Sequence, residues 1–354
     1  MQIMSQASHK LLSLLAIIIL YCTTGCSSDS GVFSDSASKR IQARQDSLQQ
    51  VLTTAPNGWE AIYFPQTDSL LFSDLKTELN IHKFPNELGY GGFYFQLKFS
   101  PNGSLMMRGD YTDDSALENQ NVHYELGHNS MTRLSFSTGN YLTKLIGDKY
   151  QGELDFLFQG TDADGRLIFV SPRSIRPAKA YLILKRIGDN QNDERLQQAS
   201  KHRKTFENMR NPRLKIQQGS RTYFSSDHII KYSTRGELTS YGINQVAQRY
   251  ALFTQVSRKA NVPDGPPQGI IGLGSGYVGT PDGLTFLSGI RLDDKNIFRD
   301  FIFRNGVYEC ELVRVYDPLY RTTRLESKHL HPEGEETGII ATIYDDPNAT
   351  YKYY

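Results

Sequence analysis

The densest group of potential metal ligands in this 354-residue chain lies near its C-terminus. His329 and His331 are separated by a single leucine, and glutamates follow at positions 333, 335 and 336. Residues two apart in a β-strand face the same side, so both imidazoles could reach one ion. A zinc site also needs further ligands in a fixed geometry, whereas the proline and glycine interspersed here favour an exposed polar loop. We therefore predict no metal and no cofactor at this cluster.

A second pattern, Gly-Ser-Gly-Tyr-Val-Gly at residues 274–279, matches the GxGxxG spacing of dinucleotide-binding loops. That chemistry requires a helix to start inside the motif, so that its first amides meet the pyrophosphate. Pro281 and Gly283 follow immediately and would interrupt such a helix. We reject the fingerprint and predict that residues 262–283, rich in Gly and Pro, form a long loop, which is either a flap over a site or a plain connection.

Carboxylates are abundant, but the sequence singles out no catalytic pair. The aspartates at positions 110, 113 and 114 lack the spacing of an EF-hand and favour a solvated turn. A glycosidase needs two carboxylates about 5–10 Å apart across a cleft, and 38 acidic residues offer too many pairs to choose among. No serine lies in a GxSxG motif. The sequence therefore assigns no catalytic residue.

Four aromatic residues are the candidates for a binding surface. Trp59 and Tyr63 follow the first predicted helix, and Tyr90 and Tyr94 lie at the start of a later predicted strand. Their rings could form a platform for sugar rings or apolar groups. The alternative is that these side chains belong to the hydrophobic core.

Cys26 is a candidate for covalent lipid attachment. Lys10 precedes an uncharged apolar run, residues 11–20, which suits a signal-peptide core and is too short to span a bilayer. Small residues then lead to Gly25 and Cys26. The pattern resembles a bacterial lipoprotein signal, in which the cysteine is acylated on sulfur and becomes the mature N-terminus. The alternatives are a plain secretory signal cleaved near Gly25 and an uncleaved anchor, while Cys22 follows a bulky tyrosine that suits cleavage poorly.

Acylation would hold the mature protein on a membrane. A single fatty chain such as palmitate binds a bilayer only marginally, and stable anchoring takes more than one. A lipoprotein N-terminus carries several chains. We predict a signal peptide at residues 1–25 and a flexible polar tether at residues 26–38.

Composition favours a β-rich exported body. The formal net charge of +1 includes Lys10, so the mature chain is close to neutral, and this gives no electrostatic case for nucleic acid binding. Twenty-one Tyr and 18 Phe against one Trp favour strands. Only Cys310 remains after removal of the signal and acylation of Cys26, and its alternating surroundings predict a buried strand residue.

The periodicity of the chain predicts the elements that position these groups. Residues 36–54 and 193–210 carry apolar stripes at helical spacing. Residues 91–99 alternate between apolar and polar, and a Pro-Asn-Gly turn follows them. The fold prediction is mainly β, with two antiparallel barrel- or sandwich-like domains. An N-terminal helix belongs to the first domain, residues 39–190; a helical connector follows at 191–212, and the second domain is 213–354.

The order of these features resembles a known family. Cys26, the helix RIQARQDSLQQVL, the segment TAPNGWEAIYFP and the strand GGFYFQLKF followed by NGSLMMRGD are similar to a domain-of-unknown-function family of lipoproteins from Bacteroidota. The likeness is best over residues 26–190. That family is often associated with starch-utilisation-type nutrient-uptake systems. The resemblance implies an outer-membrane lipoprotein, on the periplasmic face or the cell surface, and it carries over no catalytic residue.

Three functions follow as expectations. The leading one is an accessory binding or assembly role in uptake of a glycan or peptide, with an outer-membrane transporter or other envelope lipoproteins as partners. The second is a lipocalin-like carrier of a small apolar ligand. The third is a hydrolase with a carboxylate or metal site.

The Cys26 assignment predicts a change in membrane attachment. Cys26→Ser should abolish labelling by radioactive palmitate and release the protein from the membrane fraction, because no sulfur remains to be acylated. Fractionation of cells that express each variant measures this. Cys22→Ser serves as the control and should stay labelled and membrane-bound; a labelled Cys26→Ser variant would contradict the assignment.

Overall fold

The computed structural model describes residues 35–67, 91–112, 115–146, 152–172, 179–188, 194–232, 249–257, 269–318 and 320–348. The chain divides into two compact units, Met1–Asp46 and Ser47–Tyr354. All of the strands described below belong to the larger unit.

Two α-helices and 18 strands make up the described regular structure, together with a short 3₁₀ helix, Thr143–Leu145. The helices are α1 (Ala37–Thr53) and α2 (Arg195–Asn208). The first eight strands are β1 (Trp59–Thr67), β2 (Phe93–Phe99), β3 (Ser104–Gly109), β4 (Gln120–Asn129), β5 (Met131–Phe136), β6 (Asp155–Thr161), β7 (Leu167–Val170) and β8 (Lys179–Arg186). The remaining strands are β9 (Pro212–Gln218), β10 (Arg221–Ser225), β11 (His228–Tyr232), β12 (Tyr250–Ser257), β13 (Gly269–Gly279), β14 (Gly283–Arg291), β15 (Ile297–Arg304), β16 (Val307–Asp317), β17 (Thr322–Ser327) and β18 (Glu335–Asp345).

Strands β1–β8 form a closed antiparallel barrel in sequence order. The barrel closes because β1 pairs with β8 as well as with β2, and Trp59 lies opposite Leu97 on one side and Arg186 on the other. Alternate side chains point inward, and aromatic and aliphatic residues of all eight strands form one buried cluster. An eight-stranded barrel has an interior just wide enough for side chains to fill, and this one is packed with them.

The C-terminal part of α1 packs on this barrel core. Leu48 and Leu52 are buried in the same cluster as the barrel residues. The indole nitrogen of Trp59 donates a hydrogen bond of 2.9 Å to the carbonyl of Leu52, and Gln49 donates to the hydroxyl of Tyr124 at 2.8 Å. The start of β1 is therefore fixed to the end of the helix that precedes it.

Strands β9–β18 form a second antiparallel, barrel-like sheet. Nine of them run in the order β10-β9-β18-β16-β15-β14-β13-β12-β11, and β17 pairs with β16 outside this row. Its buried cluster includes Phe206 and Met209, from α2 and the residue after it, so the helix covers part of this core.

Helix α2 and strand β13 also face the outside of the barrel. A smaller cluster joins Phe64 and Tyr94 of the barrel to Leu196, Ala199 and Val278. The backbone approaches closely here, since the amide of Gly92 donates to the carbonyl of Tyr277 at 2.9 Å. A β-carbon at Gly91 would lie 1.8 Å from the carbonyl oxygen of Arg249, so only glycine fits at that position.

A buried ionic cluster lies at the junction between the barrel and the second sheet, where α2 and β13 face the barrel. Arg203 of α2 donates to both carboxylate oxygens of Asp110, at 2.7 and 2.9 Å, and forms a second ion pair with Glu207 at 2.5 Å. Arg249 is fully buried and donates to the carbonyls of Gly92 and Asp110 at 3.1 and 2.9 Å. Burial alone would raise the pKa of Asp110, but the charge of Arg249 and the hydrogen bond and charge of Arg203 lower it below its ordinary value. We call Asp110, Arg203, Glu207 and Arg249 the junction cluster.

The structure confirms the mainly β fold with an N-terminal helix and two antiparallel, barrel-like sheets. Both predicted helices form, within a few residues of their predicted limits, and the alternating segment at residues 91–99 becomes β2. Whether the two sheets are separable domains with the predicted limits stays a prediction.

The Gly/Pro-rich stretch needs a correction. Residues 262–268 lie outside the described part of the chain, but Gly269–Gly279 is a strand, β13, and not a loop. The glycines suit a strand whose neighbours come very close. A β-carbon at Gly274 would lie 2.0 Å from the carbonyl oxygen of Ala251, and one at Gly279 would lie 2.2 Å from that of Ala199. No helix starts in the GxGxxG motif, which agrees with its rejection.

Cys310 lies in β16 and is fully buried, as predicted. Burial raises the pKa of its thiol to about 12, although a hydrogen bond to Ser327 opposes the shift. Among the described residues, neither helix has the length and apolarity needed to cross a bilayer.

The junction cluster predicts a large loss of stability on removal of its anionic charge. Asp110→Asn should lower the free energy of unfolding by about 3–5 kcal/mol at neutral pH, because the buried Arg249 loses its nearest counter-charge and Arg203 keeps only its pair with Glu207. The folded-state pKa of Asp110 is below its unfolded value of about 3.9. The wild-type advantage should therefore be complete above that unfolded value and shrink as the pH falls through the folded-state pKa.

Urea unfolding of the two proteins at several pH values measures this difference. The matched control is Arg314→Gln, which breaks the exposed Arg314–Glu335 pair of 3.0 Å and should cost less than about 1 kcal/mol. A loss in Asp110→Asn no larger than in this control would contradict the role of the cluster.

Cys310 should be unreactive in the folded protein. Its thiol is buried and its pKa is raised, so iodoacetamide at about pH 8 should leave it unmodified, whereas an ordinary exposed thiol reacts there. Peptide mapping by mass spectrometry reads out the modification, with the same treatment in urea as the control. Labelling of the native protein at the rate seen in urea would refute this account.

Candidate functional site

A cavity of about 390 Å³ lies between the outside of the barrel and the second sheet. We call it the inter-sheet cavity. Its volume is within the range of about 300–1,000 Å³ that small-molecule sites occupy. One wall comes from strands β1, β2 and β8 and the β6–β7 turn; the other comes from β14, β15, the turn before β14 and the segment after β17.

The barrel wall follows from strand alternation. Trp59, Ala61 and Tyr63 of β1 are in the barrel core, so the residues between them point outward. Glu60 and Ile62 therefore line the cavity. The same alternation in β2 places Phe93 and Phe95 inside and Tyr94 in the cavity wall.

Glu60 and Tyr94 form a buried polar corner of this wall. Glu60 is ion-paired with Arg195 of α2. The hydroxyl of Tyr94 is buried, and no described residue gives it a hydrogen bond of ordinary geometry. Burial, with the negative charge of Glu60 next in size, raises the pKa of Tyr94 well above its ordinary value. Tyr94 is therefore neutral, and its hydroxyl lies within hydrogen-bonding reach of Glu60 and Arg195.

The opposite wall carries two carboxylates, Asp282 and Asp300. Asp282 is in the turn between β13 and β14, and Asp300 is in β15. Both are half-buried, and neither forms an ion pair with a described residue. Asp300 accepts a hydrogen bond from the hydroxyl of Thr285, and Asp282 makes no side-chain hydrogen bond within the described residues.

His329 lines the cavity beside these carboxylates, and its hydrogen bonds fix its tautomer. Ser327 donates its only hydroxyl proton to the carbonyl of Asp300 at 2.7 Å. Its oxygen must then accept from Nδ1 of His329, 2.8 Å away, so the imidazole carries its proton on Nδ1 and its lone pair on Nε2. Burial lowers the pKa of His329 although Asp300 and Asp282 oppose this shift, and the ring is neutral near pH 7.

Asp164 connects the two walls. It lies in the β6–β7 turn of the barrel and accepts hydrogen bonds from Arg324 of β17, the shorter at 2.6 Å. Nε2 of His331 is 3.3 Å from the same carboxylate, and Arg166 is 3.2 Å away. Burial would raise the pKa of Asp164, but the hydrogen bond and charge of Arg324 and the charges of Arg166 and His331 lower it. The side chain is therefore ionised, and its contacts with Arg324 and His331 connect the barrel to the second sheet at the edge of the cavity.

A family model for a domain of unknown function, DUF4302, matches residues 29–305. This match covers well over half of the sequence. The chain belongs to the DUF4302 family. The matched region includes the barrel, α2 and the second sheet through β15, so it extends beyond residues 26–190, where the sequence likeness was best.

Searches of curated proteins and of solved structures found no match to this DUF4302 protein. Within the family match lie Tyr94, Asp282 and Asp300, whereas His329 and His331 follow it in the chain.

In the DUF4302 protein, Trp59 and Tyr63 of the predicted aromatic platform lie apart from Tyr94. Trp59 and Tyr63 are buried in the barrel core, and the hydroxyl of Tyr63 accepts a hydrogen bond from the amide of Glu153 at 2.7 Å. Tyr94 is on the opposite face of the barrel wall and lines the cavity. Tyr90 and Cys26 lie outside the described residues. Ligand binding by any of the four aromatic residues stays a prediction.

Sequence reasoning missed the acidic wall of the cavity. Asp282 and Asp300 are 18 positions apart, and nothing in their local pattern distinguishes them from turn and surface aspartates. The polar loop expected around the histidine pair forms between β17 and β18, with Pro332 and Glu333 exposed, but both histidines are half-buried and line the cavity. Among the described residues, no group of three or more His, Cys, Asp or Glu side chains could hold a metal ion.

Proposed function

We propose that this DUF4302 protein is a lipid-anchored envelope protein that binds a small nutrient-derived ligand in the inter-sheet cavity. Its role is accessory, in the uptake of a glycan or peptide. The observation that carries the proposal is the cavity itself, which combines apolar walls with accessible carboxylates that have no ion-pair partner among the described residues. Ligand sites have this character: mostly apolar concave walls with a few placed polar groups.

The cellular location in this proposal rests on the sequence. The apolar run at residues 11–20, ending in small residues before Cys26, supports lipid attachment in a bacterial envelope. The similarity to Bacteroidota lipoproteins of starch-utilisation-type systems supports the outer membrane, on either face. An outer-membrane transporter or another envelope lipoprotein is then the natural partner of a ligand-binding body.

The carrier alternative receives less support from the geometry. A lipocalin-like protein holds its ligand inside the barrel, whereas this barrel interior is occupied by packed side chains such as Phe95, Met107 and Phe156. The inter-sheet cavity is outside the barrel and has charged groups on both walls. It suits a polar ligand better than a purely apolar one.

The hydrolase alternative shares the cavity. Asp282, Asp300 and a neutral His329 are groups that general acid–base catalysis uses. The same binding experiment separates the two functions, because a hydrolase consumes its ligand and a binding protein returns it intact.

Ligand binding should raise the thermal midpoint of the purified protein. A mixture of neutral oligosaccharides and a mixture of tripeptides serve as probes. A ligand at about one hundred times its Kd adds about 2.7 kcal/mol of stability, which we expect to raise Tm by about 4 °C for a chain of this size. Differential scanning fluorimetry gives Tm, and mass spectrometry of the recovered probe shows whether it was cleaved.

A cavity-filling variant locates the binding. Ala163 lines the cavity but is exposed, so Ala163→Trp should fill the cavity's edge without disturbing a core and should abolish the shift in Tm. Ala43→Trp, at an exposed position of α1, is the control and should respond as the wild type does. No shift with either mixture, or an equal shift in Ala163→Trp, would count against the proposed site.

A further inference from the structure

We propose that a groove between the start of β15 and the outer edge of β17 binds an extended peptide segment of a partner by strand addition, and that this segment alternates apolar and acidic side chains. The groove has a volume of about 840 Å³, and we call it the edge slot. Of the described residues, Arg299 alone lines both the edge slot and the inter-sheet cavity. The inference goes beyond the proposed function, because it concerns a partner chain and not the ligand of the cavity.

The edge slot runs along one edge of β17. Consecutive side chains of a strand point to opposite faces, so a groove over one face of a strand touches every second residue. Four consecutive residues, Thr323–Glu326, line this groove. β17 pairs with β16 along its whole length, and no other described strand pairs with it. The slot therefore exposes the backbone edge of β17 that β16 does not use.

The opposite wall is a second strand edge. Ile297 and Phe298 of β15 pair with β14, but the pairing of β15 with β16 begins only at Ile302. β15 and β17 run in the same direction, because both are antiparallel to β16. They meet where the hydroxyl of Ser327 donates to the carbonyl of Asp300 at 2.7 Å. The slot lies on the N-terminal side of this contact in both strands.

The second wall restricts the occupant to a single free strand. An edge strand of a folded sheet has a neighbour about 4.8 Å away on its other side. In the edge slot, that neighbour would occupy the position of β15. The edge strand of a second copy of this chain is therefore excluded, whereas a chain terminus or an unpaired extended segment of a partner fits. Strand addition takes its affinity from main-chain hydrogen bonds and its specificity from the surroundings of alternate side chains.

One face of the edge slot is apolar. Leu325 and Ile339 are half-buried, pack against the core of the second sheet and line the slot. Tyr316 lies opposite Thr323, so its ring is on the same face as Leu325. This ring is 62% exposed, and tyrosine is enriched in protein interfaces. Side chains of the occupant that point to this face are therefore apolar.

Two arginines that line the slot are already compensated. Arg324 is ion-paired with Glu326 and with Asp164, both at 2.6 Å. Arg314 is paired with the exposed Glu335 at 3.0 Å. These pairs give no preference for the charge of an occupant.

The remaining charges lie along the β15 wall and favour an acidic occupant. Lys295 and Arg299 line the slot, and neither forms an ion pair with a described residue. One carboxylate, that of Asp294, lies among them. The charge of Arg299 also acts on Glu326 of the opposite wall, so its guanidinium is within electrostatic reach of the space between the walls. Two cations against one carboxylate attract an acidic side chain at the outward positions of the occupant.

The test uses synthetic heptapeptides and the full chain, purified in mild detergent. One peptide alternates valine and glutamate, and a second alternates valine and lysine. Two more have the glutamate sequence with N-methyl groups on the valine amides or on the glutamate amides, which removes the donors of one strand edge and keeps every side chain. Fluorescence polarisation of the labelled peptides measures their affinities.

We expect the glutamate peptide to bind. At least one N-methylated form should bind about tenfold or more weakly, because its main-chain hydrogen bonds to β17 are lost. The lysine peptide should bind several-fold more weakly. Hydrogen exchange read by mass spectrometry should show that the bound glutamate peptide protects amides of β17.

Two matched pairs of variants locate the binding. Thr323→Trp fills the slot at an exposed position and should weaken binding about tenfold or more, whereas Thr322→Trp, at an exposed neighbour that does not line the slot, should bind as the wild type does. Lys295→Glu should weaken binding of the glutamate peptide several-fold. Arg304→Glu, at an exposed position of β15 outside the slot, should leave it unchanged.

Each outcome decides one part of the inference. Full binding by both N-methylated peptides, or an unchanged affinity in Thr323→Trp, would overturn strand addition at the slot. Equal or tighter binding of the lysine peptide would overturn the acidic assignment. If the wild type binds no peptide, the whole inference fails, and the proposed function of the cavity still stands. The peptide comparisons need only the wild type, so a variant that fails to fold does not remove the test.

Discussion

The relation between the barrel and the second sheet depends on the junction cluster. Asp110 follows β3 of the barrel, Arg203 is in α2, and Arg249 precedes β12 of the second sheet, so one carboxylate joins three elements. Burial of these charges is expensive, and it is tolerated only where each has partners of good geometry. Arg249 adopts a left-handed backbone conformation, with φ of 44°, and its guanidinium lies 4.2 Å from the ring centre of Phe93. Such a conformation in a residue other than glycine persists where its surroundings determine it strongly.

The cavity is a consequence of that junction. Neither sheet forms it alone, because the outward residues of β1 and β2 make one wall and the segments around β14 and β15 make the other. The pair Glu60–Arg195 and the contacts of Asp164 with Arg324 and His331 lie around the same space. The charged groups around the cavity therefore also stabilise the junction, whereas Asp282 and Asp300 line it without an ion pair among the described residues.

Local sequence patterns predicted helices and strands well where one face of the element is buried. Residues 91–99, whose sequence alternates, form a strand with one face in the barrel core. Residues 193–210, which carry an apolar stripe, form a helix that packs between the two sheets. The pattern failed at Gly269–Gly279, where glycine was taken as a sign of a loop. In that strand, glycine is required because the backbones of Ala251 and Ala199 come very close. A contact between segments far apart in the chain produces no periodic pattern in the local sequence.

The sequence by itself determined the β-rich character, the helix positions, the buried state of Cys310 and the candidate lipidation at Cys26, because these depend on composition and on neighbours along the chain. It also supplied Tyr94 as a candidate, although grouped with Trp59 and Tyr63, from which strand alternation separates it. Only the tertiary structure decided that Asp282, Asp300 and His329 lie opposite Tyr94. The physical reason is that the cavity exists only where the barrel and the second sheet pack against each other. The charged residues that hold them together are spread over 140 positions of sequence and share no motif; they are Asp110, Arg203 and Arg249.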